Sequence, residues 1–147
     1  MDYNVARKNM IERQIRPNKV VDEALIASIG DAPRERFLPE ELRAVAYVDE
    51  DLRLSSGRNL MEPVVLARML QALALTPADA VLDIASGTGY AAAVMARLAG
   101  TVFALESDGD LQARASGLFG ELALDNIMSE EGDLTAGCPQ HAPYNAI

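Results

Sequence analysis

A chain of 147 residues, half of them apolar, is long enough for one sizeable core and is typical of a soluble globular protein. Of its net charge of −9, most lies after residue 60, where 3 Lys and Arg face 11 Asp and Glu; such a surface repels phosphate backbones and argues against nucleic acid as a partner. No apolar run reaches a membrane span or a secretory signal, so no membrane association and a cytoplasmic location are expected.

The first part of the chain predicts three helices. One is expected over residues 4–14, because helix formers continue until Pro17 disfavours helix in the residue before it. A second is expected over residues 22–29, where Asp22 is placed to cap it. A short third helix over residues 40–46 would follow.

A loop and a strongly apolar helix come next. Residues 47–61 have no clear periodicity, which predicts a loop or short irregular strands and makes the segment a candidate for contacts with a substrate. Pro63 suits a first helical turn, and the apolar spacing after it predicts a helix that continues to Leu75.

Strands and helices alternate in the remaining chain. Strands are predicted over residues 80–85, 101–106 and 127–130, and helices over residues 90–98 and 108–122. Gly100 is expected to end the first of these helices in the left-handed conformation. The alternation is typical of a parallel sheet with covering helices.

The predicted fold class is therefore α/β: a Rossmann-like parallel sheet preceded by an N-terminal helical extension. Residues 1–61 are interpreted as the extension and a substrate-side loop, and residues 62–147 as the sheet domain. Another strand opens at Tyr144 just before Ile147, so the sheet is expected to be incomplete at its C-terminus. An open edge of this kind favours self-association.

A glycine-rich turn, Ala85-Ser86-Gly87-Thr88-Gly89, joins the first strand of this alternation to the next helix. Residues without a Cβ let the backbone turn sharply and approach a ligand closely. Glu106 ends the next strand, 19 residues after Gly87, where a carboxylate can accept hydrogen bonds from both hydroxyls of an adenosine ribose. A tight turn without a ligand is the alternative for the loop taken alone.

The glycine loop also fits the dinucleotide pattern Gly-x-Gly-x-x-Ala, so the glycines alone do not distinguish a dinucleotide from S-adenosylmethionine. Asp83 distinguishes these two ligands by its charge. A carboxylate four residues before Gly87 would repel a pyrophosphate and attract the ammonium of a methionine moiety. A helix placed before the first strand also fits a methyltransferase better than a dinucleotide-binding fold, which begins with its strand. The expected cofactor is therefore S-adenosylmethionine.

Other polar residues give weaker signals. Asp133 follows the third predicted strand and is placed to accept from an adenine amino group, although an ordinary acidic turn fits its spacing equally well. Cys138 and His141, the only cysteine and the only histidine, lack a third and fourth metal ligand. A loop that happens to contain both is favoured, and no metal is expected.

Several segments, in the same order, resemble the protein-L-isoaspartate O-methyltransferase family. They are residues 33–39, 46–49, 57–63, 81–90 and 132–144. The resemblance implies a class I methyltransferase sheet and methyl transfer to the α-carboxyl of isoaspartate in damaged proteins, a repair reaction. It also implies a cofactor site lined by Asp83, Ala85, Ser86, Gly87, Gly89, Glu106 and Asp133.

The chain departs from this family at the substrate-side strip. The family pattern is roughly Gly-Gln-Thr-Ile-Ser-Gln-Pro, and its serine falls on Met61 and its threonine on Asn59. A thioether cannot donate the hydrogen bond that a serine offers a carboxylate. Arg58, Asn59 and Met61 are therefore the substrate-side candidates, with Arg58 placed to clamp a carboxylate.

The cofactor loop departs from the family pattern as well. Ala85 replaces the first glycine of the usual loop. We expect this change to be tolerated if the backbone at that residue keeps φ below zero.

The expected function is that of an S-adenosylmethionine-dependent O-methyltransferase acting on a protein or peptide, with no catalytic residue assigned. Two alternatives stay open. One is a cofactor-binding protein without isoaspartate activity, and the other is a methyltransferase with a different acceptor.

Overall fold

The computed structural model describes residues 1–147 and contains two compact units, Met1–Ala74 and Leu75–Ile147. The predicted combination of a parallel sheet with helices and an N-terminal helical part is confirmed. The functional division after residue 61 stays a prediction. None of the helices combines the length and the apolar character that a membrane crossing requires.

The first unit contains three α-helices joined by short irregular turns. The α-helices are α1 (Tyr3–Met10), α2 (Glu23–Asp31) and α3 (Pro63–Leu73). A π-helical turn spans Ile11–Ile15, and 3-10 turns span Arg16–Asn18, Arg34–Phe37 and Glu40–Val45. The chain leaves the first helical stretch at Lys19, which has φ 65°, two residues after the proline predicted to stop it.

Local chemistry fixes the start of α2 and both ends of α3. The Asp22 side chain accepts from the N–H groups of Ala24 and Leu25, which confirms it as the N-cap of α2. Pro63 occupies the first turn of α3, as predicted, because a missing N–H costs nothing there. The helix ends at Ala74, whose φ of 49° is left-handed.

A buried arginine holds the segment that precedes α3. Arg34 has no exposed surface; its Nε donates to the Ala46 carbonyl and its Nη2 to the Met61 carbonyl, both at 2.7 Å. Charge-assisted bonds to buried carbonyls are stronger than neutral ones, so this side chain fixes the backbone at residues 46 and 61.

Two very short strands lie between those residues. β1 (Leu52–Arg53) pairs antiparallel with β2 (Asn59–Leu60), and Leu52 faces Leu60 across the pair. Both leucines are buried, whereas Asn59 is exposed. The prediction of short irregular strands in this segment is confirmed.

The second unit is a three-stranded parallel sheet in the order β3-β4-β5. The strands are β3 (Ala80–Ile84), β4 (Thr101–Glu106) and β5 (Ile127–Glu131). Helix α4 (Tyr90–Ala96) connects β3 to β4, and α5 (Gly109–Glu121) connects β4 to β5. In the register, Val102 lies opposite both Val81 and Ile127.

The central strand β4 forms the core of this unit. All its residues after Thr101 are buried, and Phe103 and Leu105 pack with Leu82 and Cys138. Each fully buried side chain of this size stabilises the fold by about 1.5–3 kcal/mol. The buried run of β4 ends at Glu106.

A further strand begins beside β3. Ala146 forms a parallel bridge with Val81, and its carbonyl accepts from the N–H of Leu82 at 3.0 Å. The N–H of Asn145 donates to the carbonyl of Ala80 at 2.8 Å. The predicted opening of a fourth strand is confirmed, while self-association through a sheet edge stays a prediction.

The expectation for Gly100 is wrong. Its φ is not among the positive values, and α4 ends earlier than predicted, at Ala96. A Cβ at Gly100 would lie 2.5 Å from the carbonyl oxygen of Pro77. The residue is glycine because two backbone segments approach each other there, and only the tertiary structure shows that approach.

Candidate functional site

The turn between β3 and α4 requires glycine at two positions. Gly87 has φ 58° and Gly89 has φ 89°, values that residues with a Cβ rarely adopt. A Cβ at Gly89 would also lie 2.6 Å from Cζ of Phe119 in α5. The shape of the loop therefore depends on the conformational freedom of its glycines and on close packing against α5.

Backbone hydrogen bonds attach this turn to the central strand. The N–H of Ser86 donates to the carbonyl of Leu105 at 3.1 Å, and the Ser86 carbonyl accepts from Gly89 N at 2.9 Å. The Ser86 side chain is half-buried. The predicted cofactor loop is thus held at the carboxyl end of β4.

The condition stated for Ala85, a φ below zero, is not met. This residue has φ 61°, in the left-handed region, and its side chain is exposed. The chain keeps the backbone shape that a glycine would adopt there and bears the steric cost of a Cβ. The turn dictates the conformation, and the residue type does not change it.

Glu106 lies at the end of β4 with no exposed surface. Its Oε2 accepts from the N–H of Gly87 at 2.8 Å, and its Oε1 accepts from the N–H groups of Ser107 and Asp108 at 2.8 and 3.0 Å. The carboxylate therefore connects the glycine loop to the start of α5. Its expected role as a ribose acceptor stays a prediction.

The three N–H donors around Glu106 offset the cost of burying it, and sequence reasoning predicted none of them. Asp108 caps α5 by accepting from Asp110 N and Leu111 N at 3.0 and 3.1 Å. The positive end of a helix dipole stabilises a nearby carboxylate. The predicted helix start at Asp108 was the signal that could have placed this helix end beside Glu106.

Asp83 lies on β3, directly opposite Ala104 of the neighbouring strand β4. Its Oδ2 is inaccessible to water and has no hydrogen-bond partner. Burial, and secondarily the negative charge of Glu106, raise the pKa of Asp83 to about 7. The carboxyl is therefore close to half-ionised at neutral pH.

Together, Asp83 and Glu106 place two acidic groups at the carboxyl ends of adjacent parallel strands. In open α/β sheets, ligands bind in the crevice outside these strand ends. A cationic group or a strong N–H donor in this position would reduce the mutual repulsion of the two carboxyls and satisfy Oδ2 of Asp83.

Asp133 lies in the turn after β5 and is exposed. Its Oδ1 accepts from the N–H and the hydroxyl of Thr135 at 2.8 and 2.7 Å, which lowers the pKa of Asp133. This geometry is that of a self-contained acidic turn. A contact with adenine stays a prediction.

The substrate-side candidates belong to the first compact unit. Arg58 is half-buried, and its carbonyl accepts from Leu54 N at 2.8 Å within the turn between β1 and β2. Asn59 is exposed on β2, and Met61 is held through its carbonyl by Arg34. The positions of all three are set by backbone contacts, and their roles toward a substrate stay predictions.

Comparison with known proteins decides the family. The family model of protein-L-isoaspartate(D-aspartate) O-methyltransferase matches residues 5–147. The chain belongs to this family. The resemblance seen in the sequence is therefore confirmed, over almost the whole chain.

Curated relatives agree with this assignment. Protein-L-isoaspartate O-methyltransferase 2 of Anaeromyxobacter sp. (strain Fw109-5) is 42% identical over 141 residues, which are 96% of this chain and 58% of the relative. Protein-L-isoaspartate O-methyltransferase of Roseiflexus castenholzii is 37% identical over 147 residues, which are 100% of this chain and 67% of that protein. The chain thus spans about three fifths to two thirds of the length of such relatives.

Solved structures show the same fold. A protein-L-isoaspartate O-methyltransferase superimposes with a TM-score of 0.83 at 25% identity, over 94% of this chain and 45% of that one. A Plasmodium falciparum structure in complex with S-adenosyl-L-homocysteine gives a TM-score of 0.72 at 21% identity, over 86% of this chain and 62% of that one. The Rossmann-like methyltransferase fold expected from the sequence is confirmed.

Proposed function

We propose that this chain binds S-adenosylmethionine and forms the cofactor-binding part of a protein-L-isoaspartate O-methyltransferase. Membership in the family supports the reaction class. The S-adenosyl-L-homocysteine named for the Plasmodium falciparum neighbour supports the cofactor class, since it is the product left after methyl transfer.

One observation in the chain itself supports the cofactor most directly. Asp83 Oδ2 is inaccessible and without a partner, and its carboxyl lies beside a second acid, Glu106. An anionic pyrophosphate would increase this repulsion, whereas the ammonium of a methionine moiety offsets it. The site therefore discriminates against dinucleotides and favours a cationic amino-acid tail.

The remaining cofactor contacts follow from the loop. Gly87 and Gly89 let the backbone pass close to a ligand, with Ala85 and Ser86 in the same turn. The two carboxylate oxygens of Glu106 can accept about four hydrogen bonds in all. Three backbone N–H groups already donate to them and hold the carboxylate in one orientation. Ribose hydroxyls would join this network, and Asp133 would meet the adenine end.

The cofactor supplies the reactive methyl group on a sulfonium, so the protein needs no metal and no covalent intermediate for this step. The contribution of the chain is to hold the cofactor and to orient the acceptor carboxylate, because positioning alone accounts for large rate effects. We assign no general base.

The acceptor is proposed to be the α-carboxyl of isoaspartate in a protein or peptide, in the cytoplasm. Arg58 is the charged candidate for holding that carboxylate, with Asn59 and Met61 beside it in sequence. The absence of a hydroxyl at Met61 favours a second candidate function: cofactor binding with a different acceptor, or with none.

Two assays separate these functions. Calorimetric titration with S-adenosylmethionine tests the cofactor site, and failure to bind would refute both candidates. Transfer of radiolabelled methyl groups to an isoaspartyl peptide, with the matching aspartyl peptide as control, tests the acceptor. Binding with no transfer to the isoaspartyl peptide would support the second candidate.

The same titration has a variant control. Asp83→Asn keeps the shape of the side chain and removes its charge, so we expect affinity for S-adenosylmethionine to fall at least tenfold, as for loss of a charge-assisted bond. Asp79→Asn, in the turn before β3, removes a carboxylate of the same size that bonds only to Thr76. This control should bind as the unchanged protein does.

A further inference from the structure

Three side chains of metal-ligating type meet beside β5. Glu130 belongs to that strand, and Cys138 and His141 lie at the start and the end of a short turn that follows it. The Cys138 sulfur, the His141 Nε2 and a Glu130 carboxylate oxygen all lie within 4.8 Å of one another. The sequence offered two of these ligands, and the fold supplies the third.

The three ligand atoms are close enough together for one tetrahedral ion to reach all of them after small side-chain movements. Cys138 Sγ lies 3.2 Å from Glu130 Oε2, and His141 Nε2 contacts the other carboxylate oxygen. Ligand atoms of a tetrahedral Zn²⁺ site are about 3.3–3.6 Å apart, given metal distances of about 2.0–2.3 Å. Side-chain movements of about 1 Å would thus bring all three atoms to bonding distance.

Aromatic packing holds the ligands in place. The His141 ring stacks on Phe103 of the central strand, with centroids 4.5 Å apart and planes at 21°. The Tyr144 ring meets Phe103 edge-on at 5.6 Å, and its hydroxyl donates to the Cys138 carbonyl. Cys138 itself is buried in the core cluster with Phe103. Ligand side chains that are already held in place lose little conformational entropy when an ion binds.

We propose that Glu130, Cys138 and His141 bind a single Zn²⁺ ion, with water in the fourth position. The donor set of one sulfur, one nitrogen and one oxygen is a zinc set, since Mg²⁺ and Ca²⁺ prefer oxygen ligands alone. A thiolate and a carboxylate balance the two charges of the ion. The proton leaving the Cys138 sulfur passes to the buffer.

The ion would act structurally. It would join the end of β5 to the turn that leads to the fourth strand, two segments otherwise connected here by hydrogen bonds to Glu130. The site is independent of the proposed methyl transfer, so failure of either proposal leaves the other standing.

The chain is well suited to a spectroscopic test, because it contains one cysteine and one histidine. Untagged protein is titrated with Co²⁺, followed by Zn²⁺. We expect a near-ultraviolet thiolate-to-cobalt charge-transfer band that saturates at one ion per chain and disappears when Zn²⁺ replaces Co²⁺. A band of this kind can arise only from Cys138. In parallel, the carbon-bound proton signals of His141 should shift with Zn²⁺.

Variants separate metal ligation from folding. His141→Gln and Glu130→Gln should each weaken Co²⁺ and Zn²⁺ binding at least about tenfold. Glu131→Gln, the exposed neighbour on the same strand, should leave affinity unchanged. Circular dichroism checks that each variant is folded.

The proposal is overturned if folded wild-type protein shows no charge-transfer band in excess Co²⁺. It is equally overturned if the His141→Gln variant binds as tightly as wild type. Cys138→Ser would abolish the band, but its buried site endangers folding, so the His141 and Glu130 variants decide the matter.

Discussion

Ala85 is a position where a single substitution should stabilise the protein. The residue has φ 61°, a conformation that costs an L-residue about 1–2 kcal/mol because of its Cβ. Ala85→Gly removes that cost. The glycine also gives the unfolded chain more conformational freedom, which destabilises the folded state by about 0.5–1 kcal/mol. We expect a net gain of about 0.5–1 kcal/mol in the free energy of unfolding.

Urea denaturation of the ligand-free chain, followed by circular dichroism, measures this difference. Thermal unfolding should shift upward by about 1–4 °C for a chain of this size. Ala113→Gly is the matched control, because Ala113 is exposed inside α5 and the same substitution there should destabilise by about 1 kcal/mol. If both variants are destabilised equally, the left-handed strain assigned to Ala85 is absent.

Two further predictions concern Asp83 on β3 and Gly89 in the turn that follows this strand. Asp83 retains its proton up to about pH 7 when folded but releases it near pH 3.8 when unfolded, so its contribution to stability falls as pH rises through this window. Asp83→Asn should therefore stabilise the ligand-free chain by on the order of 2 kcal/mol more at about pH 8 than at about pH 5, as urea unfolding at both pH values would show; an equal effect at both would contradict the assigned pKa. Gly89→Ala should destabilise by at least about 2 kcal/mol, because its Cβ would lie 2.6 Å from Phe119 at φ 89°, whereas Gly117→Ala, with open space around it in α5, should be neutral or stabilising. Equal unfolding midpoints for these two glycine variants would refute the packing argument.

The sequence predicted the elements well where local chemistry determines them. Asp22 and Asp108 begin α2 and α5 as expected, since an N-cap carboxylate needs only the helix that follows it. The alternation of short apolar runs with helical patterns after residue 79 predicted the parallel sheet, because both patterns are visible in the residues themselves.

The errors fall where distant segments decide the structure. Gly100 was expected to be left-handed, but its role is to admit the Pro77 carbonyl, 2.5 Å from where a Cβ would lie. Ala85 was expected to be tolerated if its φ stayed negative, but the glycine loop imposes φ 61°. In both cases the backbone conformation follows from tertiary contacts that no local pattern contains.

The candidate site was predicted in its parts and not in its arrangement. Spacing placed Asp83, Gly87 and Glu106 at adjacent strand ends, and the direct bond from Gly87 N to Glu106 Oε2 connects two of them. The burial of Glu106 under two further N–H groups depends on how α5 begins beside the strand, and the predicted helix start at Asp108 was the only signal for it. Glu130 likewise joins Cys138 and His141 only through the fold.

Selection of a cationic cofactor by the Asp83 carboxylate is tested most directly by the affinity of the chain for S-adenosylmethionine at about pH 8. Calorimetric titration of the chain and of Asp83→Asn should show saturable binding that weakens at least tenfold in the variant, with Asp79→Asn unchanged. Absence of binding, or equal affinity in the Asp83 variant, would contradict the account.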